Sequence, residues 1–89
     1  MRTIEELQII ITTALASDKA ARMKGLVITT LAVECGLDRS YFQAEPDDPS
    51  CESFWMALKN LEESNKITPA SVKKEDYDLH VRYNHISNN

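Results

Sequence analysis

The stretch that decides the fold is Thr29-Thr30-Leu31-Ala32-Val33-Glu34-Cys35-Gly36-Leu37. Its first seven residues predict a short helix with Leu31 as the core residue, capped by Thr29 or Thr30. Gly36 suits the end of this helix, because glycine tolerates the positive φ of a C-cap. Leu37 is then the apolar residue that folds back onto the helix.

A longer amphipathic helix is predicted to begin at Ser50 or Cys51, after an acidic loop. Its apolar residues recur at i, i+3, i+4 and i+7, at Phe54, Ala57, Leu58 and Leu61. Its opposite face carries Glu52, Met56, Lys59, Asn60 and Glu63. We expect the helix to end near Asn65, which can take a left-handed C-cap conformation. A short helix, a turn and a longer amphipathic helix are typical of a helix-turn-helix.

Residues 1–16 predict a first helix, in which Thr3 and Glu6 form a capping box. Its apolar stripe is wide, which suits burial against more than one neighbouring helix or against a second copy of the chain. We take the run Ile9, Ile10 and Ile11 as an indication of a possible homodimer. After it, either the first helix continues or Ser17 caps a short second helix.

Two strand-like segments flank the helical core. Leu26-Val27-Ile28 predicts a short strand, and from Tyr77 to Asn84 apolar and polar residues alternate with a period of two. In the second strand Tyr77, Leu79, Val81 and Tyr83 would face one side and Asp78, His80, Arg82 and Asn84 the other. Thr68 to Asp76 would form the connecting loop.

In this order, Leu-Ala-x-x-Cys-Gly-Leu (residues 31–37) and Leu-Glu-Glu-Ser-Asn-Lys-Ile (residues 61–67) resemble the winged helix-turn-helix superfamily, of the small prokaryotic or phage and mobile-element regulator type. The resemblance implies one mostly α domain with a small β wing over residues 1–89. Its parts would be a first helix at 1–16, a helix-turn-helix core at 26–67, a wing at 68–84 and a tail at 85–89. Leu31 to Phe42 also resembles the helix-turn-helix of mobile-element and AraC-type regulators, which would make Arg39, Ser40 and Tyr41 the reading residues.

The resemblance implies a small transcriptional regulator or mobile-element accessory protein that binds duplex DNA. The helix after Pro49 would then lie in the major groove, with Asn60 reading adenine and Lys59 reaching guanine or a phosphate. The other candidate DNA-binding residues are Arg39, Ser40, Lys73, Lys74, Arg22 and Lys24. The formal net charge of −4 opposes this function, since phosphate neutralisation supplies much of the affinity of DNA-binding proteins.

A protein-interaction module is the alternative function, as a phage- or plasmid-type inhibitor or adaptor that binds a basic protein surface. Four carboxylates fall within eleven positions, at Asp38, Glu45, Asp47 and Asp48. Trp55 and Met56 follow as candidate anchors, being residue types that often carry interface energy. The same loop residues also suit a plain solvent-facing connection.

Other classes of function have little support. Cys35, Cys51, His80 and His85 are possible zinc ligands, but fifteen residues separate the two cysteines, so we predict no metal site. We expect no cofactor and no enzyme, because the only glycines are Gly25 and Gly36 and no phosphate-binding loop is present. No signal peptide or membrane span is predicted, and we expect a cytoplasmic protein.

Overall fold

The computed structural model describes residues 2–70 and 78–86, which form helices packed on a small antiparallel sheet. The elements in chain order are α1 (Ile4–Leu15), α2 (Asp18–Met23), β1 (Leu26–Val27), α3 (Ile28–Glu34), α4 (Arg39–Ala44), a 3-10 turn (Pro49–Cys51), α5 (Glu52–Glu63), β2 (Ile67–Pro69) and β3 (Arg82–His85). The prediction of a mostly α chain with a small amount of β structure is therefore confirmed.

The first two helices begin at side-chain caps. The Glu6 amide donates to the Thr3 hydroxyl at 3.2 Å, and the Glu6 carboxylate accepts from the Thr3 amide at 3.3 Å, so the predicted capping box is present. Ser17 caps α2 by accepting from the Ala20 amide, which decides between the two predicted courses of the chain after α1. Helix α1 buries Ile11 completely and packs against both α3 and α5.

Helix α3 begins one residue before the threonine that was predicted to cap it. Its N-cap is Val27, which makes no side-chain capping bond, and the amide of Ile28 instead donates to the carbonyl oxygen of Val81 at 3.1 Å. Thr29 is buried within the first turn, so the prediction of a Thr29 or Thr30 cap was wrong. The end of the helix is as expected, with Gly36 at φ +94°.

A separate helix lies inside the segment predicted as the helix-turn-helix core. The four residues 35–38 separate α3 from α4, and the Asp38 carboxylate caps α4 by accepting from the Tyr41 amide at 2.9 Å. Helix α4 has only six residues, and Pro46 and Pro49 follow it. The turn to α5 is therefore made by a second, acidic connection at 45–51.

The sheet has the order β1–β3–β2, and both pairings are antiparallel. Strand β3 covers only Arg82–His85, whereas a strand over Tyr77–Asn84 was predicted. Leu79 and His80 form a turn instead, because the carboxylate of buried Asp78 accepts from the His80 amide at 3.0 Å.

The predicted tail also needs correction. His85 pairs with Ile67 in the sheet, and the Ile86 amide donates to the carbonyl oxygen of Lys66 at 3.0 Å. Thr68 and Pro69 belong to β2 rather than to a loop. The remainder of the predicted loop at 71–76, Tyr77 of the predicted strand and residues 87–89 of the predicted tail lie outside the described residues.

Candidate functional site

A shallow groove of about 290 Å³ lies between the acidic loop and the outer face of α5. Its lining combines carboxylates with apolar side chains: Asp47, Asp48, Pro49, Glu52, Trp55, Met56 and Lys59. The loop supplies the first three of these residues, and successive turns of α5 supply the other four. The 3-10 turn that begins at Pro49 joins the loop to the start of α5.

The loop side of the groove is fixed by hydrogen bonds to Asp48. The carboxylate of Asp48 accepts from the Ser50 hydroxyl at 2.6 Å, from the Ser50 amide at 2.9 Å and from the Tyr41 hydroxyl at 2.7 Å. The Ser50 hydroxyl contributes most to lowering the pKa of Asp48, followed by Tyr41 and the Ser50 amide. This carboxylate therefore stays ionised to a lower pH than an ordinary aspartate.

The floor of the groove is fixed by an aromatic cluster. The Trp55 ring stacks on Phe42 of α4, with ring centroids 5.6 Å apart, and meets Phe54 edge-on at 5.7 Å. The indole N–H of Trp55 also donates to the carbonyl oxygen of Pro46 at 2.6 Å. Trp55 thus joins α4, α5 and the loop, while Met56 beside it is 44% exposed.

The structure brings together four of the six residues predicted for protein interaction: Asp47, Asp48, Trp55 and Met56. The other two do not line the groove. Asp38 caps the N-terminus of α4, and Glu45 lies at its C-terminus. Glu52 completes the set of carboxylates, although the sequence marked it only as part of the solvent-facing side of α5.

The predicted DNA-binding residues do not gather at this groove, apart from Lys59. There Lys59 shares the groove with three carboxylates, Asp47, Asp48 and Glu52, so the groove has a formal charge of −2 (one positive, three negative). Asn60 beside it is half-buried. The other predicted reading residues, Arg39 and Ser40, are exposed at the start of α4.

The remaining predicted phosphate contacts lie elsewhere. Arg22 is in the last turn of α2, and Lys24 is its left-handed C-cap at φ +58°. A basic residue that the sequence did not single out, Arg82 of β3, donates to the carbonyl oxygens of Met23 and Gly25 and so lies at the same end of α2. Lys73 and Lys74 lie outside the described residues.

The cysteines and histidines remain apart from the groove. Cys35 and Cys51 are buried free thiols, and His80 and His85 are exposed. Over residues 2–70 and 78–86, no three His, Cys, Asp or Glu side chains lie close enough together to hold a metal ion. None of the helices in this part of the chain has the length and apolar character needed to cross a membrane.

Comparisons with known proteins add no relative: no family model matches the chain, and neither the curated proteins nor the solved structures give a significant match.

Proposed function

We propose that this chain is a protein-interaction module that binds a basic segment of another protein in the groove between the acidic loop and α5. The observation that carries the proposal is the placement of Asp47, Asp48 and Glu52 around Trp55 and Met56. Interfaces draw most of their binding energy from a few buried aromatic and apolar anchors, with charged groups at the rim. This groove offers both kinds of group within one surface.

The charge of the groove favours a partner rich in arginine or lysine. Its formal charge of −2 has the same sign as the net charge of −4 of the whole chain, so long-range attraction and local contacts act together. Arginine suits such a site best, because its planar guanidinium pairs with a carboxylate through two parallel hydrogen bonds. Asp48 stays ionised to a lower pH than an ordinary aspartate, because the hydrogen bonds from Ser50 and Tyr41 lower its pKa.

The hydrogen bonds around the groove also lower the cost of binding. Asp48 is held by Ser50 and Tyr41, and Trp55 is held by Pro46 and by its stacking on Phe42. A surface that is already ordered loses less conformational entropy when a partner binds.

The test is fluorescence anisotropy of a labelled arginine-rich peptide titrated with the protein. We expect Asp47→Asn/Glu52→Gln to weaken binding about fivefold, since exposed ion pairs contribute roughly 1 kcal/mol. Asp18→Asn/Glu63→Gln is the matched control, because it changes the net charge by the same amount at exposed positions outside the groove. Equal weakening by both pairs would mean that the peptide senses only net charge, and the groove would not be the binding site.

DNA binding is the second candidate, favoured by the four-residue turn between α3 and α4. In a helix-turn-helix the N-terminal residues of the second helix contact the bases, and Arg39 and Ser40 occupy those positions in α4. The sheet order β1–β3–β2, with α5 immediately before β2, supports a winged helix-turn-helix arrangement. In this candidate α4 is the reading helix, because Lys59 of α5 shares its groove with three carboxylates.

Mixed duplex DNA, titrated at low and at near-physiological salt, tests the second candidate. Binding that falls steeply with salt and is lost in Arg39→Glu would support it, and no binding at low salt would exclude it for this chain alone. Lys73→Glu/Lys74→Glu tests the predicted phosphate contacts. The two candidates also predict opposite effects of Asp47→Asn/Glu52→Gln, which weakens peptide binding but strengthens DNA binding by removing repulsion.

A further inference from the structure

The middle of α1 presents an isoleucine to solvent. Ile9 is 65% exposed, whereas Ile10 is half-buried and Ile11 is completely buried. Of the three isoleucines that indicated a homodimer in the sequence, only Ile9 therefore lies fully on the surface. An isolated exposed isoleucine is common, so its surroundings decide whether it has a role.

Ile9 stands as a ridge between two grooves, since it lines both of them. The smaller groove, of about 300 Å³, lies toward the end of α5 and is lined by Glu5, Gln8, Ile9, Thr12, Leu61, Ser64 and Lys66. The larger groove, of about 470 Å³, is lined by Ile9, Ile10, Thr13, Ala14, Ser17, Lys19, Leu26 and Glu34. Small side chains line much of the larger groove, at Thr13, Ala14 and Ser17, and they leave the depression that a branched apolar side chain would fill.

The two charges of the larger groove come from two different helices, α2 and α3. Lys19 follows the C-terminus of α1, in the first turn of α2. Glu34 ends α3, and the neighbouring Cys35 accepts through its carbonyl oxygen from the Arg2 guanidinium at 3.0 Å, next to the N-terminus of α1. Both side chains are exposed.

We propose that two copies of this chain associate through α1, antiparallel across a two-fold axis, with Ile9 of each copy seated in the larger groove of the other. A two-fold axis that lays the larger groove on the same groove of the second copy, and that passes between Lys19 and Glu34, brings Lys19 of one copy to Glu34 of the other, so the pair occurs twice. Ridge-into-groove contact is the usual way in which helices pack. The apolar groove and the acid–base arrangement are thus complementary to the same surface on another copy.

This association does not rest on the proposed function. The Ile9 ridge and the larger groove share no lining residue with the groove beside the acidic loop, so a dimer leaves the peptide site open. Either surface can therefore be tested, and can fail, without the other.

Sedimentation-velocity ultracentrifugation over a range of protein concentrations gives the first test. We expect a concentration-dependent monomer–dimer equilibrium for the unchanged chain, and about a tenfold or greater rise in its dissociation constant for Ile9→Glu. Met56→Glu is the matched control, because Met56 is also an exposed apolar helix residue but lies outside both grooves beside α1. Circular dichroism checks that both variants fold. A monomer at every concentration, or equal effects of the two variants, would overturn the proposal.

An exchange of charges tests the antiparallel arrangement. Lys19→Glu alone and Glu34→Lys alone place like charges at both contacts, so each should weaken the dimer. An equimolar mixture of the two variants should recover it, because a mixed dimer has opposite charges at both contacts. Recovery on mixing would support the two-fold pairing, since an effect within one chain is not restored by mixing. Absence of recovery would overturn the pairing of Lys19 with Glu34.

Discussion

The indole N–H of Trp55 and the carbonyl oxygen of Pro46 are joined by a 2.6 Å hydrogen bond across nine residues of chain. The bond ties the acidic loop to α5, and it satisfies a carbonyl group that lies between the end of α4 and the 3-10 turn. With the stacking of Trp55 on Phe42, it holds the loop at a fixed distance from α5. The width of the candidate binding groove depends on this contact.

Trp55→Phe should lower the free energy of unfolding by about 1 kcal/mol, because the aromatic packing is largely kept while the hydrogen bond to Pro46 is lost. Urea unfolding followed by circular dichroism measures the change, and hydrogen exchange should show faster opening of the amides at 45–50. Tyr41→Phe is the control, because it removes only the exposed hydrogen bond from the Tyr41 hydroxyl to Asp48. It should lower the free energy of unfolding by less than Trp55→Phe does. Unchanged exchange in Trp55→Phe would show that the loop is held by other contacts.

Gly25→Ala should destabilise the chain by more than about 2 kcal/mol, because Gly25 has φ +106° and little space for a side chain. A Cβ there would press on the Tyr83 carbonyl oxygen and lie 2.6 Å from Oδ1 of Asn84, both on the central strand. Thermal unfolding measures the loss.

Gly36→Ala provides the comparison for Gly25→Ala. Gly36 also has a positive φ, of +94°, but the nearest atom to an added Cβ belongs to the far end of the flexible Arg2 side chain, at 3.3 Å. We expect Gly36→Ala to lower the free energy of unfolding by about 1–2 kcal/mol, because it introduces conformational strain alone. Equal losses at the two glycines would mean that the contact with β3 adds nothing.

Asn65→Ala should cost about 1 kcal/mol, whereas Asn65→Gly should be neutral or stabilising. Asn65 ends α5 at φ +59°, a conformation that asparagine and glycine tolerate better than alanine does. The amide of the following residue, Lys66, donates to the Leu61 carbonyl oxygen and closes the helix. Chemical denaturation of the two variants measures the difference, and a reversed order would contradict the left-handed cap.

The free energy of unfolding should fall between about pH 9 and pH 11 because of Cys35. Burial raises the pKa of this thiol from 9.0 to about 11, with Arg2 opposing the rise and Glu34 adding to it. Above pH 9 the unfolded chain loses the thiol proton while the folded chain keeps it, so the unfolded state gains stability until the folded thiol also titrates. Cys35→Ala should remove this part of the decline.

Denaturation of the unchanged chain and of Cys35→Ala at a series of pH values isolates the Cys35 contribution, since the two proteins share every other titratable group. Parallel curves for the two proteins from pH 8 to pH 11 would show that the thiol titrates alike in the folded and unfolded chains.

Local signals in the sequence predicted the helices well. The capping box at Thr3 and the left-handed Asn65 both depend on residues within one or two turns of each other, so the sequence contains the whole interaction. The prediction of a Thr29 cap was wrong because the start of α3 depends on the Val81 carbonyl oxygen, which accepts from the Ile28 amide and is distant in the sequence. The alternation of apolar and polar residues from Tyr77 onward predicted a β3 that begins too early in the chain. The Asx turn at Asp78 has the same pattern of polar residues as a strand.

The candidate site was predictable only in part. The density of carboxylates in the loop was evident, and so was the presence of Trp55 and Met56 on the next helix. That Asp47 and Asp48 lie beside Glu52 and Lys59 depends on the path of the chain through Pro49, which no periodic pattern reports. Two separate grooves beside Ile9 likewise require the positions of α3 and α5 around α1.

The sheet order β1–β3–β2 has a consequence for synthesis of the chain on the ribosome. Strand β3 is the shared partner of the other two strands, so Leu26–Val27 and Ile67–Pro69 are both synthesised before the strand that joins them. The amide of Ile28 also has no acceptor until Val81 has been synthesised, because it donates to the carbonyl oxygen of Val81. A nascent chain stalled before Val81 would therefore lack both the central strand of the sheet and the acceptor of the Ile28 amide.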